Sequence, residues 1–130
     1  MTKVISSLDL RYLDGKTWDL LSDFSVVSET LGSITVPIGF STDFNSIPRG
    51  LWNLLPPDEY GEAAVIHDYL YRFGECNGKP ITRGDADSVH REFVHFRHAP
   101  SWKERMMYWG LRMGGWKPWG VYRKNDPNNW

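Results

Sequence analysis

A histidine and an aspartate directly follow an apolar run in the middle of the chain. The run is Ala63-Ala64-Val65-Ile66, and the polar pair is His67-Asp68. At helical spacing Tyr71 lies one turn beyond His67 on the same face, while Asp68 points about 100° around the axis. A buried charge is costly unless it meets a metal, a hydrogen-bonding partner or water. The fold must therefore bring a partner to this pair from another part of the chain.

Length and composition indicate one globular domain spanning residues 1–130. The chain is 41% hydrophobic and 24% charged, and its formal net charge is -1. Such a charge creates no overall field for nucleic acid, which is not an expected partner. The single cysteine, Cys76, excludes an internal disulfide. We see no signal peptide and no transmembrane segment, so synthesis in the cytoplasm is expected.

The first forty residues have the pattern of short β-strands. Residues 8–12 alternate between apolar and polar side chains, and Asp14-Gly15 is a hairpin turn signal before residues 17–21. Residues 24–27 and 34–38 form a second predicted pair around Leu31-Gly32, with Pro37 at a strand end or edge. This region predicts a short antiparallel sheet.

Residues 41–57 are predicted to form a loop pinned to the core. The stretch Gly39 to Gly50 combines oxygen-bearing residues with three large apolar side chains. Such a loop can direct backbone carbonyls and the Asp43 carboxylate at a cation. Ser46 is an alternative N-cap for a short helix starting near Pro48, and this role does not exclude a ligand role for Asp43.

Three helices are predicted between residues 58 and 115. The first runs from Asp58 to Arg72, and the second opens at Thr82, with Asp85 completing a capping box, and reaches Arg97. Ser101 can cap the third, which carries an apolar stripe at positions 102, 106, 109 and 113. That stripe is either core or an interface with a partner chain or membrane surface. The predicted fold class is α+β, with the sheet packed on about three helices.

The last residues, 116–130, are predicted to form an aromatic and basic arm. Trp116, Trp119 and Tyr122 alternate with basic residues in this segment. Single-strand nucleic-acid binders interleave rings and charges in this way, but the arm is short and the rest of the chain is neutral. We therefore assign these three aromatic residues to partner binding.

A division of labour follows from the helical geometry of the polar pair. Neighbouring helical residues diverge, so Asp68 cannot orient the His67 ring. We predict that Asp68 binds a hard cation and that His67 acts as a general base on a nearby water. The orienting carboxylate would be Asp87 or Asp85 of the second helix, and Tyr71 could hydrogen-bond to it.

Two alternatives use the same residues differently. His67 with His90, His95 and His98 could form a zinc site, which we rank below calcium. In the other, His67 bonds a carboxylate in a purely structural polar cluster, and Asp68 pairs with Arg49 or Arg72.

The motifs resemble those of the phospholipase A2 superfamily, especially its viral members. That family has a calcium loop, a helix with H-D-x-x-Y and a second helix with A-D. The matching residues are His67, Asp68 and Tyr71, followed by Ala86-Asp87, with Gly39 to Gly50 in the place of the calcium loop. The resemblance implies that His67 is the base, Asp68 the calcium ligand and Asp87 the orienting residue.

A second resemblance covers most of the chain. The motifs are G-F-x-T-D-x-x-S-I-P-R at 39–49, A-A-x-x-H-D-Y-L-Y at 63–71, I-T-R-x-x-A-D at 81–87 and M-Y-W at 107–109. They are similar to those of a phage-encoded family known only as a domain of unknown function. This resemblance implies a phage or prophage gene with a tail or lysis role and no established activity.

Two functions from different classes follow. The first is a metal-dependent, phospholipase-like hydrolase that acts on a lipid or another cell-envelope bond, with Asp68 and Asp43 holding the metal. The second is a non-enzymatic virion or tail component whose aromatic arm binds neighbouring subunits. In either case the protein would be made in the host cytoplasm and could enter the virion.

Overall fold

The computed structural model describes residues 2–12, 17–44, 46–55 and 60–124. Two small antiparallel sheets come first in the chain. Strands β1 (Lys3–Val4), β4 (Phe24–Ser28) and β5 (Gly32–Val36) form one in the order β1-β4-β5. Strands β2 (Leu10–Tyr12), β3 (Trp18–Leu20) and β6 (Ser41–Thr42) form the other, in the order β2-β3-β6. The predicted antiparallel β region is confirmed, with its strands divided between two sheets.

Alternating burial along β4 and β5 holds the first sheet against the core. Phe24 pairs with Val36 and Ser28 with Gly32, so the strands align over their full length. Phe24, Val26, Ile34 and Val36 point inward and are at most 1% exposed. Gly32 has a φ of 79°, a conformation that suits glycine in the tight turn. Pro37 directly follows β5, as predicted for a strand end. The predicted Asp14-Gly15 turn lies outside the described residues.

In the part of the chain that the structure describes, four α-helices and a short hairpin follow the sheets. A 3₁₀ turn at Arg49–Leu51 precedes α1 (Gly61–Phe73), and Gly74, with a φ of 65°, caps the C-terminus of α1. Strands β7 (Glu75–Cys76) and β8 (Lys79–Pro80) form the hairpin. The remaining helices are α2 (Arg83–Phe96), α3 (Ser101–Gly114) and α4 (Trp116–Lys124). The α+β class is confirmed, whereas the predicted arm contains a helix, α4. The predicted start of α1 at Asp58 lies outside the described residues.

The start of α2 matches its sequence signal. The Thr82 hydroxyl accepts a hydrogen bond from the Asp85 amide at 3.0 Å, and the Asp85 carboxylate accepts one from the Thr82 amide at 3.0 Å. The reciprocal pair is a capping box and satisfies two amides that have no partner within the helix. The predicted cap at Ser101 is wrong, because Pro100 occupies the N-cap position of α3 and Ser101 is the first helical residue.

The apolar stripe of α3 faces outward, so the prediction that it belongs to the core is wrong. Trp102, Met106, Trp109 and Met113 are 54%, 55%, 61% and 77% exposed. The inward face instead carries Glu104, Met107 and Leu111. Glu104 bonds to Arg91 at 3.1 Å and to His95 at 2.9 Å, so α2 supplies polar partners for that face. Among the described residues, no helix is both long and apolar enough to cross a membrane.

Candidate active site

His67 lies in α1 with both ring nitrogens engaged by side chains from other segments. Nδ1 is 3.0 Å from the Ser46 hydroxyl oxygen, and Nε2 is 2.9 Å from Asp87 Oδ1. Ser46 comes from the loop before α1, and Asp87 comes from α2. All three residues are fully buried. Hydroxyl, imidazole and carboxylate therefore form one hydrogen-bonded relay across three parts of the chain.

Asp87 is the most heavily bonded member of the relay. The Tyr71 hydroxyl donates to Oδ1 at 2.6 Å, while Arg112 and Arg83 lie 3.1 and 3.4 Å from Oδ2. Burial alone would raise the pKa of this carboxyl. The bonds from His67 and Tyr71 and the charge of Arg83 outweigh burial and lower the pKa below its ordinary value. Asp87 is therefore ionised at neutral pH.

The ionised Asp87 decides which His67 nitrogen carries the proton. A carboxylate only accepts hydrogen bonds, so the ring donates from Nε2–H to Asp87. When Nδ1 carries no proton, its lone pair points at the Ser46 hydroxyl, which then donates to it. A fixed imidazole with a free lone pair against a hydroxyl is the arrangement of a general base and its nucleophile.

Asp68 points to a different environment from His67, although the two are adjacent in sequence. Its Oδ2 accepts from the Thr42 hydroxyl at 2.6 Å and lies 3.5 Å from Arg72 Nη2. Its Oδ1 is buried and has no hydrogen-bond partner among the described residues. Burial raises the pKa of Asp68, and the negative charge of Asp43 adds to this effect. A proton or a cation at Oδ1 would therefore stabilise the buried Asp68 side chain.

A metal at Asp68 would need ligands besides acidic side chains. Within residues 2–12, 17–44, 46–55 and 60–124, no three His, Cys, Asp or Glu side chains are placed to hold a metal ion. Calcium also accepts hydroxyl, backbone carbonyl and water oxygens. The unpartnered Asp68 Oδ1 and the nearby half-buried Asp43 fit a calcium site completed by such ligands.

The histidines considered for zinc lie in different surroundings. The His90 ring packs edge-on against His67, with centroids 5.2 Å apart. Burial holds the pKa of His90 well below its ordinary value, and a positive charge on His67, when that ring is protonated, would lower the pKa further. The His95 side chain is 77% exposed and bonds Glu104, and His98 is exposed at the end of α2. The four histidines are therefore not gathered around one point.

Several contacts of the relay were missed or misassigned from sequence. The predicted cap role of Ser46 is wrong, since the 3₁₀ turn has Pro48 at its N-cap with no side-chain cap bond. Of the two candidate orienting residues, Asp87 bonds His67 while Asp85 is in the capping box. The Arg83 contact has a local signal, because it stands four residues before Asp87. Arg112 comes from α3, and no local pattern indicated it.

Two of the three aromatic residues assigned to partner binding are half-buried and pack against the core. The Trp119 ring stands edge-on to Tyr71 with centroids 5.2 Å apart, and the Arg72 guanidinium lies 5.7 Å from the Tyr122 ring centre. Trp116 is 65% exposed. Helix α4 therefore covers the side of α1 that carries Tyr71, and Trp116 remains available to a partner.

The close approach of Gly115 to the relay gives a first prediction. A methyl group on Gly115 would overlap the Tyr71 hydroxyl and lie 2.6 Å from the Leu111 carbonyl oxygen. We expect Gly115→Ala to destabilise the protein by about 1–3 kcal/mol, because the Tyr71 bond to Asp87 must shift. Urea denaturation would measure this effect.

Gly120→Ala is the matched control for Gly115→Ala. Gly120 also lies in the last part of the chain, in α4, and a methyl group there would have no atom within 4 Å. It should be neutral or slightly stabilising, as Gly to Ala is in a helix. Equal effects of the two substitutions on the free energy of unfolding would contradict the close contact between Gly115 and the Tyr71 hydroxyl.

A cavity lined by both apolar and polar side chains lies between the N-terminal strands and the start of α1. It has a volume of about 710 Å³, and its lining includes Leu8, Trp18, Phe44 and Tyr60. Its described lining residues do not include Ser46, His67 or Asp87. Phe44 connects the two regions, since it stands two residues before Ser46 and its φ is 59°, unfavourable for a side chain of this size.

Comparisons with known proteins identify relatives without an assigned activity. The sequence model of a family described as "Protein of unknown function (DUF1353)" matches residues 18–111. The chain is also 36% identical over 104 residues to "Uncharacterized protein y4jT" of Sinorhizobium fredii (strain NBRC 101917 / NGR234). That match covers 75% of this chain and 29% of the relative, so the chain spans less than a third of the relative's length. No solved structure matches. The family match covers most of the chain, including all of α1 and α2, and the chain therefore belongs to the DUF1353 family.

Proposed function

We propose that this protein is a hydrolase of ester bonds in the cell envelope, with His67 as its general base. The observation that carries the proposal is the relay from Asp87 through His67 to the Ser46 hydroxyl, with distances of 2.9 and 3.0 Å. Asp87 orients the ring and stabilises the imidazolium that forms when Nδ1 takes a proton. Tyr71 and Arg112 in turn hold Asp87 in place.

A divalent cation would act on the substrate from a separate position. Asp68 and Asp43 would hold it, in keeping with the resemblance of the H-D-x-x-Y motif to phospholipase A2 enzymes. When bound, calcium supplies positive charge that stabilises a developing oxyanion. The Asp68 carboxylate bonds Thr42 and Arg72 instead of the relay residues, so metal binding and proton transfer would use different residues.

Substrate access requires the loop before α1 to move. Ser46 and His67 are fully buried, so an ester cannot reach them in the conformation described. The left-handed backbone at Phe44 stores about 1–3 kcal/mol of strain in this loop. A shift of Phe44, which lines the cavity, would create a path for substrate toward the Ser46 hydroxyl, and an acyl chain would pack against the cavity's apolar residues.

Hydrolysis of lipid esters tests the proposal directly. The purified chain would be incubated with phospholipid vesicles or bacterial envelope in the presence of calcium, and fatty acid release would be measured. Activity of the intact chain above that of a His67→Gln variant supports the proposal. No release from either substrate at any calcium concentration would contradict it.

Thermal unfolding tests the calcium site separately. Calcium should raise the melting temperature of the native chain and leave that of Asp68→Asn unchanged, because only the native carboxylate gains a cation. Thr42→Val, which removes the hydroxyl beside Asp68, is a control that should keep a calcium response. A response that survives Asp68→Asn would place the ion elsewhere.

Asp68→Asn should also change how the stability of the protein depends on pH in the absence of calcium. Since the folded pKa of Asp68 is raised, its contribution favours the folded state at low pH and is lost as pH rises through the folded value. Asp68→Asn is always neutral and should therefore be more stable than the native chain at neutral pH. A loss of stability would show instead that the bond to Arg72 outweighs the cost of burying the charge.

A non-enzymatic role is the second candidate, and complete burial of the relay favours it. In that role Ser46, His67 and Asp87 would only join the loop to the helices, and the chain would serve as a virion or tail component. The resemblance to phage-encoded proteins supports a phage or prophage origin and incorporation in the virion for either candidate. Absence of hydrolysis, together with assembly of the chain on tail proteins through Trp116, would favour this role.

A further inference from the structure

The outward face of α3 is apolar along most of its length. We define the Trp/Met stripe as Trp102, Met106, Trp109 and Met113, each of which is more than half exposed. Spacings of four, three and four residues place them on one side of the helix over about 17 Å. Large exposed apolar surfaces of this kind are uncommon on soluble proteins unless they bind something.

The charges around the stripe have one sign. Between residues 99 and 124 the sequence contains six lysine or arginine residues and a single acidic residue, Glu104. Glu104 is turned inward, where it pairs with Arg91 and His95 of α2. Arg112 and Arg123 also turn inward, toward Asp87 and the Arg72 carbonyl, whereas Arg105 and Lys117 are exposed and Lys103 is half-exposed. This side of the molecule is therefore basic, although the whole chain has a net charge of -1.

We propose that the Trp/Met stripe is a docking site for an anionic lipid bilayer. A helix lying in a membrane interface places tryptophan and other apolar side chains among the acyl chains and lysine and arginine among the head groups. The stripe and its basic flanks meet both requirements. Helix α3 would lie parallel to the bilayer surface, with α2 and the relay on the side away from the lipid.

A second copy of this chain fits the surface less well. Closed dimers usually form about a two-fold axis, which brings the same patch of both protomers together. Such a contact would bring Lys103, Arg105 and Lys117 of one protomer into the same interface as the identical set of its partner. Like charges in that position oppose association, whereas phosphate head groups neutralise them. The docking proposal does not depend on hydrolysis, so either can fail without the other.

Co-sedimentation of the full chain with vesicles tests the proposal. We expect binding to vesicles that contain phosphatidylglycerol, weaker binding to phosphatidylcholine alone, and a loss of binding at high salt. The double variant Trp109→Ser/Met113→Ser should lower partition about tenfold or more, since both side chains enter the interface. Lys103→Gln/Arg105→Gln should lower it about fivefold for each charge removed.

Ile38→Ser is the matched control. Ile38 is an exposed apolar residue, 63% accessible, in the loop that follows β5. Its substitution should leave partition unchanged. Absence of binding to both kinds of vesicle, or equal loss in Ile38→Ser and the stripe variant, would overturn the proposal. A dimer that the stripe variant dissociates, with no vesicle binding, would also overturn it and assign the stripe to a second copy.

Discussion

Replacing Asp87 by alanine is expected to lower the free energy of unfolding by about 3–5 kcal/mol. The substitution leaves the Nε2–H of His67 and the hydroxyl of Tyr71 without their acceptor, and both residues are fully buried. It also leaves the positive charge of Arg112 facing a space without a carboxylate. Removing one partner from a buried network costs more than the network contributes as a whole, because the remaining groups stay desolvated. Chemical denaturation of the purified variant would measure the effect.

Asp85→Ala is the matched control for Asp87→Ala. It removes a carboxylate from the same helix, but that carboxylate only completes the capping box with Thr82. Its cost should be about 1 kcal/mol or less. If Asp87→Ala were no more destabilising than Asp85→Ala, the relay would not be a significant source of stability.

The loss of unfolding free energy in Asp87→Ala should also depend on pH in a defined direction. The pKa of Asp87 is lowered in the folded state, against the effect of its burial, by His67, Tyr71 and Arg83. Its contribution is therefore present above the pKa of an unfolded aspartate and disappears as pH falls through the folded value. The difference between the native chain and Asp87→Ala should be large at neutral pH and shrink in acid.

His67→Gln is expected to reduce ester hydrolysis by a factor of about 10²–10⁴, the contribution typical of a positioned general base. Glutamine keeps a polar group near Ser46 and Asp87 but cannot accept and return the proton. His95→Gln is the control, because it also removes a histidine but at a side chain that is 77% exposed. Rates should be compared at protein concentrations corrected for the folded fraction of each variant.

Ser46→Ala then identifies the nucleophile. If the serine attacks the ester, its substitution should reduce the rate as much as His67→Gln does, and the native chain should be labelled at Ser46 by a fluorophosphonate. If the serine instead occupies the place of an attacking water, alanine should allow water to reach Nδ1, and activity should persist. Loss of activity in His95→Gln, or none in His67→Gln, would contradict His67 as the base.

Local interactions explain which features were predictable from sequence. The Thr82 cap and its Asp85 partner are three residues apart, and the paired strands β4 and β5 are joined by a short turn. Both structures are determined by neighbouring residues, so their sequence patterns were sufficient. The helix carrying His67 was recognisable for the same reason, because its apolar run is continuous up to the polar pair.

Features that depend on distant segments were not predictable in this way. Helix α3 has apolar residues on two faces. Which of these faces points inward depends on Glu104, whose partners Arg91 and His95 belong to α2. The bond between Ser46 and His67 joins residues 21 positions apart and carries no periodic signal. From sequence, Ser46 was interpreted as a helix cap, so its contact with His67 was not predicted. The convergence of Asp87 on His67 was anticipated from the motif resemblance, and the structure brings the two together.

The division of the relay between segments has a consequence for its dynamics. His67, Asp87 and Arg112 belong to α1, α2 and α3, which follow one another and pack together, whereas Ser46 belongs to the preceding loop. Local unfolding of that loop would cost less than global unfolding and would leave the imidazole and its carboxylate joined. The protein can therefore expose Nδ1 through a sparsely populated, partly open state while its helical half remains protected from amide exchange.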